Sequence, residues 1–173
     1  LSTLDGFLVS GNHATNEGGG VWGATDFVNS VIADNTADHR GGGIYQHEFQ
    51  LVLDNVAVLG NRSDEGGGIY IHTGTGIWNH VAVVGNEAAS EGGGVHWGEL
   101  GSLYSLTALA VIGNTTTAGQ GGGMYVLDTP PDLAYSNVLA NTPSDYFGLP
   151  DPTGTNGNVS VDPEFLDLTA ADP

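Results

Sequence analysis

Val56-Ala57-Val58-Leu59-Gly60-Asn61-Arg62-Ser63-Asp64-Glu65-Gly66-Gly67-Gly68-Ile69-Tyr70 holds the pattern on which the whole chain is built. A β-branched run leads into Gly-Asn, a small side chain follows two residues later, and three glycines precede an aliphatic residue and a ring. The triplet occurs five times, at Gly18–Gly20, Gly41–Gly43, Gly66–Gly68, Gly92–Gly94 and Gly121–Gly123, with starts 23, 25, 26 and 29 residues apart. A second ladder runs ahead of it: Asn12, Asn35, Asn61, Asn86, Asn114 and Asn141. Three residues before each Asn stands Val9, Ile32, Val58, Val83, Val111 or Val138, and two residues after it a small side chain such as Ala14, Ala37, Ser63 or Ala88. Self-similarity at this period marks a solenoid or related array.

No 3.6-residue periodicity supports a helical repeat. Short β-rich runs, Gly/Asn turns and about 25 residues per unit instead predict an all-β chain wound as a parallel β-helix. Its coils would stack at roughly 4.8 Å. The Val/Ile positions then form inward ladders, and the Asn ladder extends hydrogen bonding along the stack. The spacing predicts six to seven coils of 23–29 residues over 1–142. The segment 143–173 reads as an irregular Pro/Gly/Asp-rich tail that continues or covers the last coil, since Pro143, Pro150, Pro152 and Pro163 do not extend a sheet regularly. A chain opening at Leu1 with no signal-peptide pattern and ending at Pro173 reads as a segment of a longer protein.

Composition narrows the partners. Twenty acidic residues face two basic ones, Arg40 and Arg62, for a formal charge of −18. Nucleic acid and anionic membrane surfaces need a positive footprint, so both are disfavoured, as are polyanionic glycans. Cysteine is absent, which removes disulfides and thiolate metal sites. No run approaches the roughly 18 apolar residues of a membrane span, so direct membrane insertion is not expected.

The Asn…Gly-Gly-Gly-(Ile/Val)-Tyr rungs resemble those of the right-handed parallel β-helix repeat proteins of bacterial surfaces, including the passenger domains of polymorphic outer-membrane autotransporters. The tail Gly154-Thr155-Asn156-Gly157-Asn158…Asp162-Pro163-Glu164-Phe165 resembles the closing segment of secreted β-helix proteins with a C-terminal surface anchor. The resemblance implies a right-handed β-helix, secreted or displayed on a bacterial cell surface. It leaves function open, because this fold hosts lyases, hydrolases, adhesins and scaffolds.

Counting two residues past each triplet gives Trp22, Tyr45, Tyr70, His96 and Tyr125. With the preceding aliphatic residue inward, strand alternation turns this row outward. An exposed row of rings one coil apart is a binding platform for sugar faces or a protein partner; the alternative is a row that braces the coil edge under a neighbouring loop. Glu17, Arg40, Glu65, Glu91 and Gln120 form a second row just before the triplets, with Arg40 between carboxylates. Asp64, Glu65 and Glu91 supply oxygen donors of the kind Ca²⁺ takes, without a dedicated calcium loop; a solvated acidic face explains them equally. His47 and His72 hold equivalent positions and should stack.

Catalytic machinery is thinly supplied. β-Helix lyases draw on basic residues, of which only Arg40 and Arg62 exist. Glycosidases need convergent carboxylates, and Asp5 and Asp54 share one ladder position with Val28 between them. The expected function is a non-enzymatic extracellular or cell-surface scaffold or adhesin segment. The alternatives are a carbohydrate-active enzyme and a structural subunit of a surface assembly that uses coil-end or side contacts with other chains.

Overall fold

Three positions that recur from coil to coil take a left-handed backbone conformation, and they set the path of the chain. The first corner is made by Gly6, Asn29, Asn55, His80, Ala108 and Tyr135, with φ between 49° and 71°. The second is made by Gly11, Asp34, Gly60, Gly85, Gly113 and Ala140, and the third by the leading glycine of every triplet. In a computed structural model, which describes residues 2–23, 25–98, 103–128 and 130–163, these corners wind the chain into a parallel β-solenoid of about five turns with no helix among the described residues.

The straight segments between corners stack into three sheets. The largest contains Thr3–Asp5, Asp26–Val28, Gln50–Leu59, Thr75–Val84, Leu103–Thr107 and Asp132–Ala134, with the companion segments Leu8–Ser10, Val31–Ala33, Ala110–Ile112 and Asn137–Leu139. Gln50–Leu59 and Thr75–Val84 run unbroken through the first corner. A five-stranded sheet holds the segments that follow the Asn ladder, and a six-stranded sheet holds the five that follow the glycine triplets together with Tyr146–Phe147. Register keeps equivalent residues aligned: Val83 lies between Val58 and Val111, and Ile69 between Ile44 and Val95.

The Asn side chain, rather than its backbone, does the turn's work. Left-handed φ belongs to the residue before it. Asn61 is fully buried; its Nδ2 donates to Asn86 Oδ1 at 3.0 Å and to the Ile32 carbonyl of the previous coil at 3.0 Å. Its Oδ1 accepts from the backbone N–H of Asn35 at 2.9 Å and from Asn35 Nδ2 at 3.0 Å. The same rung recurs at Asn35, Asn86 and Asn114.

The three glycines of a triplet are required for different reasons. Gly66 carries φ of 65°, which side-chain-bearing residues adopt at a cost. A Cβ on Gly67 would run into the Glu87 and Gly93 carbonyls of the next coil. On Gly68 it would sit 2.6 Å from the Gly94 carbonyl and 3.1 Å from the Asn86 carboxamide. The N–H groups here all point one way. Gly66, Gly67, Gly68 and Ile69 donate to the carbonyls of Glu91, Gly92, Gly93 and Gly94 at 2.9, 3.1, 3.1 and 2.9 Å; the triplets at Gly18, Gly41 and Gly92 repeat the pattern, and in the fifth Gly123 and Met124 donate to Ser144 and Asp145.

Inside, Ile32, Val58, Val83, Val111 and Val138 are fully buried as the ladder predicts, while Val9 in the first coil is only partly covered. The sequence pattern did not point to a knot of Trp78, Trp97 and Tyr104, with ring centroids 5.5–5.7 Å apart. Coil length varies at two places: the triplet starts five to seven residues after its Asn, with a register shift between Ser63 and Glu65, and the connection between the ring-bearing strand and the next coil also varies. The connection after the ring-bearing strand runs from three residues, as between Gln46 and Gln50, to five, as between Val126 and Asp132; the Asn corner always has two.

The turn count is about five, not the six to seven expected. Past Asn141 the chain adds only Tyr146–Phe147 to a sheet and then single bridges such as Asn137↔Val159. Asp145 takes the place of the next Asn: its Oδ1 accepts from the N–H and Nδ2 of Asn141 at 3.0 and 2.7 Å. Asn158 likewise receives the Ser136 N–H and donates to the Leu133 carbonyl. Glu164-Phe165 of the tail motif lies outside the described residues.

Asn61→Ala leaves several buried groups without partners, each costing about 1–3 kcal/mol. Urea unfolding should show a loss of at least about 3 kcal/mol, against under about 1 kcal/mol for Asn12→Ala on the exposed first rung. Equal losses would refute the ladder's role.

Candidate functional site

Equivalent positions behind the triplets do bring the five ring residues together. Trp22, Tyr45, Tyr70, His96 and Tyr125 pair in register through the third sheet. Neighbouring centroids are 6.3, 5.5, 4.5 and 4.8 Å apart. Phe147 adds a sixth ring, 5.1 Å from Tyr125 and nearly parallel to it. No triplet precedes Phe147, so the repeat gave no signal for it; the pairing of Tyr146–Phe147 with Met124–Tyr125 reveals it.

The row is not the exposed platform that strand alternation predicts. Tyr45, Tyr70, His96 and Tyr125 are 3, 3, 2 and 7 % exposed. They stand outside the main core cluster, which holds Ile44, Ile69, Val95 and Met124 on the other face of the same strands. The rings stack along the axis, with only His96 and Tyr125 tilted against each other, by 41°, so each covers its neighbours' faces. A sugar needs an open face to stack on. His47 and His72, themselves stacked at 4.8 Å, lie against Tyr45 from the side. Open area remains at the two ends: Trp22 is 62 % and Phe147 41 % exposed. Around Trp22, His47 is stacked at 6.2 Å, and Glu17 Oε2 accepts from its Nε1 at 3.4 Å.

The charged row also forms. Glu17, Arg40, Glu65, Glu91 and Gln120 are successive bridge partners. Arg40 Nε donates to Glu65 Oε2 at 2.9 Å, and its guanidinium sits 5.0 Å over the Tyr70 ring, a cation–π contact. Burial, assisted by Glu17, raises the Tyr45 pKa; burial and Glu91 do the same for Tyr125. Both phenols therefore stay neutral.

Two of the three oxygen donors suggested for Ca²⁺, Asp64 and Glu65, are otherwise engaged. Glu65 holds Arg40, and Asp64 Oδ1 accepts from the Ser90 hydroxyl at 3.1 Å. Among the described residues no three His, Asp or Glu groups are placed to hold a metal ion. Asp5 and Asp54 sit in register with Val28 between them, about 10 Å apart at the stacking repeat. Asp5 accepts from Asn29 Nδ2, and Asp54 lies 4.0 Å from His80.

His96 is the one imidazole in the ladder. Neither ring nitrogen has a hydrogen-bond partner, and the Glu91 carboxylate lies 4.0 Å from Nδ1. Burial, with Arg40 adding to it, lowers its pKa to about 4. The unfolded chain therefore binds the proton more readily. The stabilisation is complete above pH about 6.5 and is lost as pH falls towards 4, by about 3 kcal/mol. His96→Phe keeps a ring in the stack without the titrating group. Urea unfolding at stepped pH should show the wild type losing that much relative to His96→Phe between pH 6.5 and 4; parallel curves would refute it.

Comparison of the chain with protein-family models, with curated proteins and with solved structures gives no match.

Proposed function

We propose that the protein is a non-enzymatic β-solenoid scaffold, secreted or displayed on a cell surface in the manner of an adhesin segment, that contacts a glycan or protein through the Trp22 end of its ring ladder. The observation that carries this reading is the contrast within one row: four rings closed into a stack and one large indole left 62 % exposed beside His47. A large exposed aromatic side chain is the kind of group that dominates binding energies. The net charge of −18 favours solubility and disfavours anionic partners. The scaffold part of the reading is supported by where the side chains are spent: conspicuous polar residues such as Asn61, Asn86 and Arg40 are bonded within the solenoid itself.

The alternative of a carbohydrate-active enzyme gains nothing from the geometry, because Asp5 and Asp54 remain two coils apart and retaining or inverting chemistry needs carboxyls about 5–9.5 Å apart across a cleft.

A glycan array and a panel of surface proteins, screened with the chain, test the reading. Trp22→Ala should weaken any binding found at least about tenfold, the loss expected when a contact of 1.4 kcal/mol or more is removed. Tyr70→Phe, inside the closed stack, should leave it unchanged. Binding indifferent to Trp22, or none across both screens, would sink the proposal.

A further inference from the structure

In four successive coils the strand after the first corner is apolar on both faces. Its inward side chains belong to the core ladder of Ile32, Val58, Val83 and Val111. Its outward side chains form two rows on the flank of the largest sheet. One row runs Val31, Ala57, Ala82, Ala110 and the other Ala33, Leu59, Val84, Ile112, aligned coil by coil. Neither row contains a charged residue, in a chain whose formal charge is −18. Strands covered on one face only alternate apolar with polar, whereas parallel strands that run apolar throughout are normally covered on both. The five-stranded sheet shows the contrast, because its outward row is Thr36, Arg62, Glu87 and Thr115.

The relief of the apolar face is regular. Each coil sets one bulky residue beside one small one: Val31 with Ala33, Ala57 with Leu59, Ala82 with Val84, Ala110 with Ile112. Ala57 and Ala82 lie in a shallow trough of about 260 Å³ that Asn55 and His80 of the first corner also line.

We propose that this face docks a second copy of the chain, sheet against sheet, about a two-fold axis parallel to the solenoid. That rotation lays the first row of one copy on the second row of its partner, coil against coil. Every bulky residue then meets a small one: Val31 the partner's Ala33, Leu59 the partner's Ala57, Val84 the partner's Ala82, Ile112 the partner's Ala110. A surface used on both sides of a two-fold must be complementary to itself, and this one is. A two-fold along the strands would instead set each row against itself, alanine on alanine at its centre.

Charge favours the same face. Two such acidic chains repel one another, and here neither row brings a carboxylate to the contact. Asp34 at the second corner would meet the partner's first-corner lane of Asn29, Asn55 and His80, whose side chains offer N–H groups. Between the corners the face spans on the order of 17 Å along the strands and 24 Å across five coils, roughly 400 Å². A standard complex uses about 800 Å² on each partner, so the dimer is a weak and reversible one. The proposal goes beyond the Trp22 reading and does not depend on it, since the ring ladder lies on the six-stranded sheet.

Sedimentation between about 10 μM and about 1 mM should show the mass rising from monomer towards dimer, as a small transient contact requires. Added salt should strengthen association by screening the repulsion between copies. Ala82→Glu should weaken it at least about tenfold by burying an unpaired carboxylate. Ala89→Glu adds the same charge at an exposed position of the five-stranded sheet and should leave it unchanged. Ala82→Val sets bulky against bulky and should weaken it at least about fivefold. Adding Val84→Ala to that variant restores a bulky–small pair and should recover the dimer. Urea midpoints measured alongside separate lost association from lost folding. A chain monomeric throughout, a dimer indifferent to Ala82→Glu, or one that Ala82→Val strengthens would each overturn the proposal. Binding of neutral phosphatidylcholine vesicles by a monomer, abolished by Ala82→Glu, would overturn it in favour of a lipid surface.

Discussion

The molecule depends on one constraint: backbone and side-chain amides turned along the axis find their partners only on the neighbouring coil. A single coil has no inside. Its Val and Ile side chains, its glycine N–H groups and its Asn carboxamide are all half-satisfied until another coil is laid against it. The Asn rung makes this tight, because each carboxamide is at once the acceptor for the coil before and the donor to the coil after. A change at one rung is therefore felt on two coils. The glycines follow from the same requirement: a Cβ at the second or third position would occupy the space where the next coil's carbonyls must come.

Outside the sheet, the rings and charges make a second, shorter-range layer. Stacked aromatic faces shield one another, and Arg40 bridges a carboxylate and a ring. The like charges of Glu65 and Glu91 on adjacent coils are eased because Glu65 already holds a cation. This layer has its own cost, since it encloses a histidine with no partner for either nitrogen. A tyrosine or phenylalanine at that position would close the stack at any pH.

The fold was legible because the repeat is a direct record of stacking. Each Val/Ile, Asn and triplet position stands for the same place in the next coil, so alignment within the chain is alignment in space. Register pairs such as Glu65↔Glu91 and Tyr70↔His96 follow from counting alone. Three things were hidden. Alternation says which way Tyr45 points but not whether anything stands over it, and the covering groups come from neighbouring rungs and from His47 and His72 on a loop. The last rung was hidden because its parts are chemically substituted: Asp145 stands in for an asparagine and Phe147 follows no glycine. The knot of Trp78, Trp97 and Tyr104 draws on three different segments, and no periodicity marks it.

The uneven distribution of coil lengths has an evolutionary consequence. The Asn corner tolerates no change in its two residues, because one added or lost residue would take the carboxamide off its column. The connection after the ring-bearing strand already varies between three and five residues without disturbing the register on either side. Insertions acquired over time should collect there and in the arc between the Asn and the glycine triplet, whose spacing already ranges from five to seven residues. New loops, and whatever recognition they bring, would then emerge along two lines, leaving the remaining surface free to be copied coil by coil.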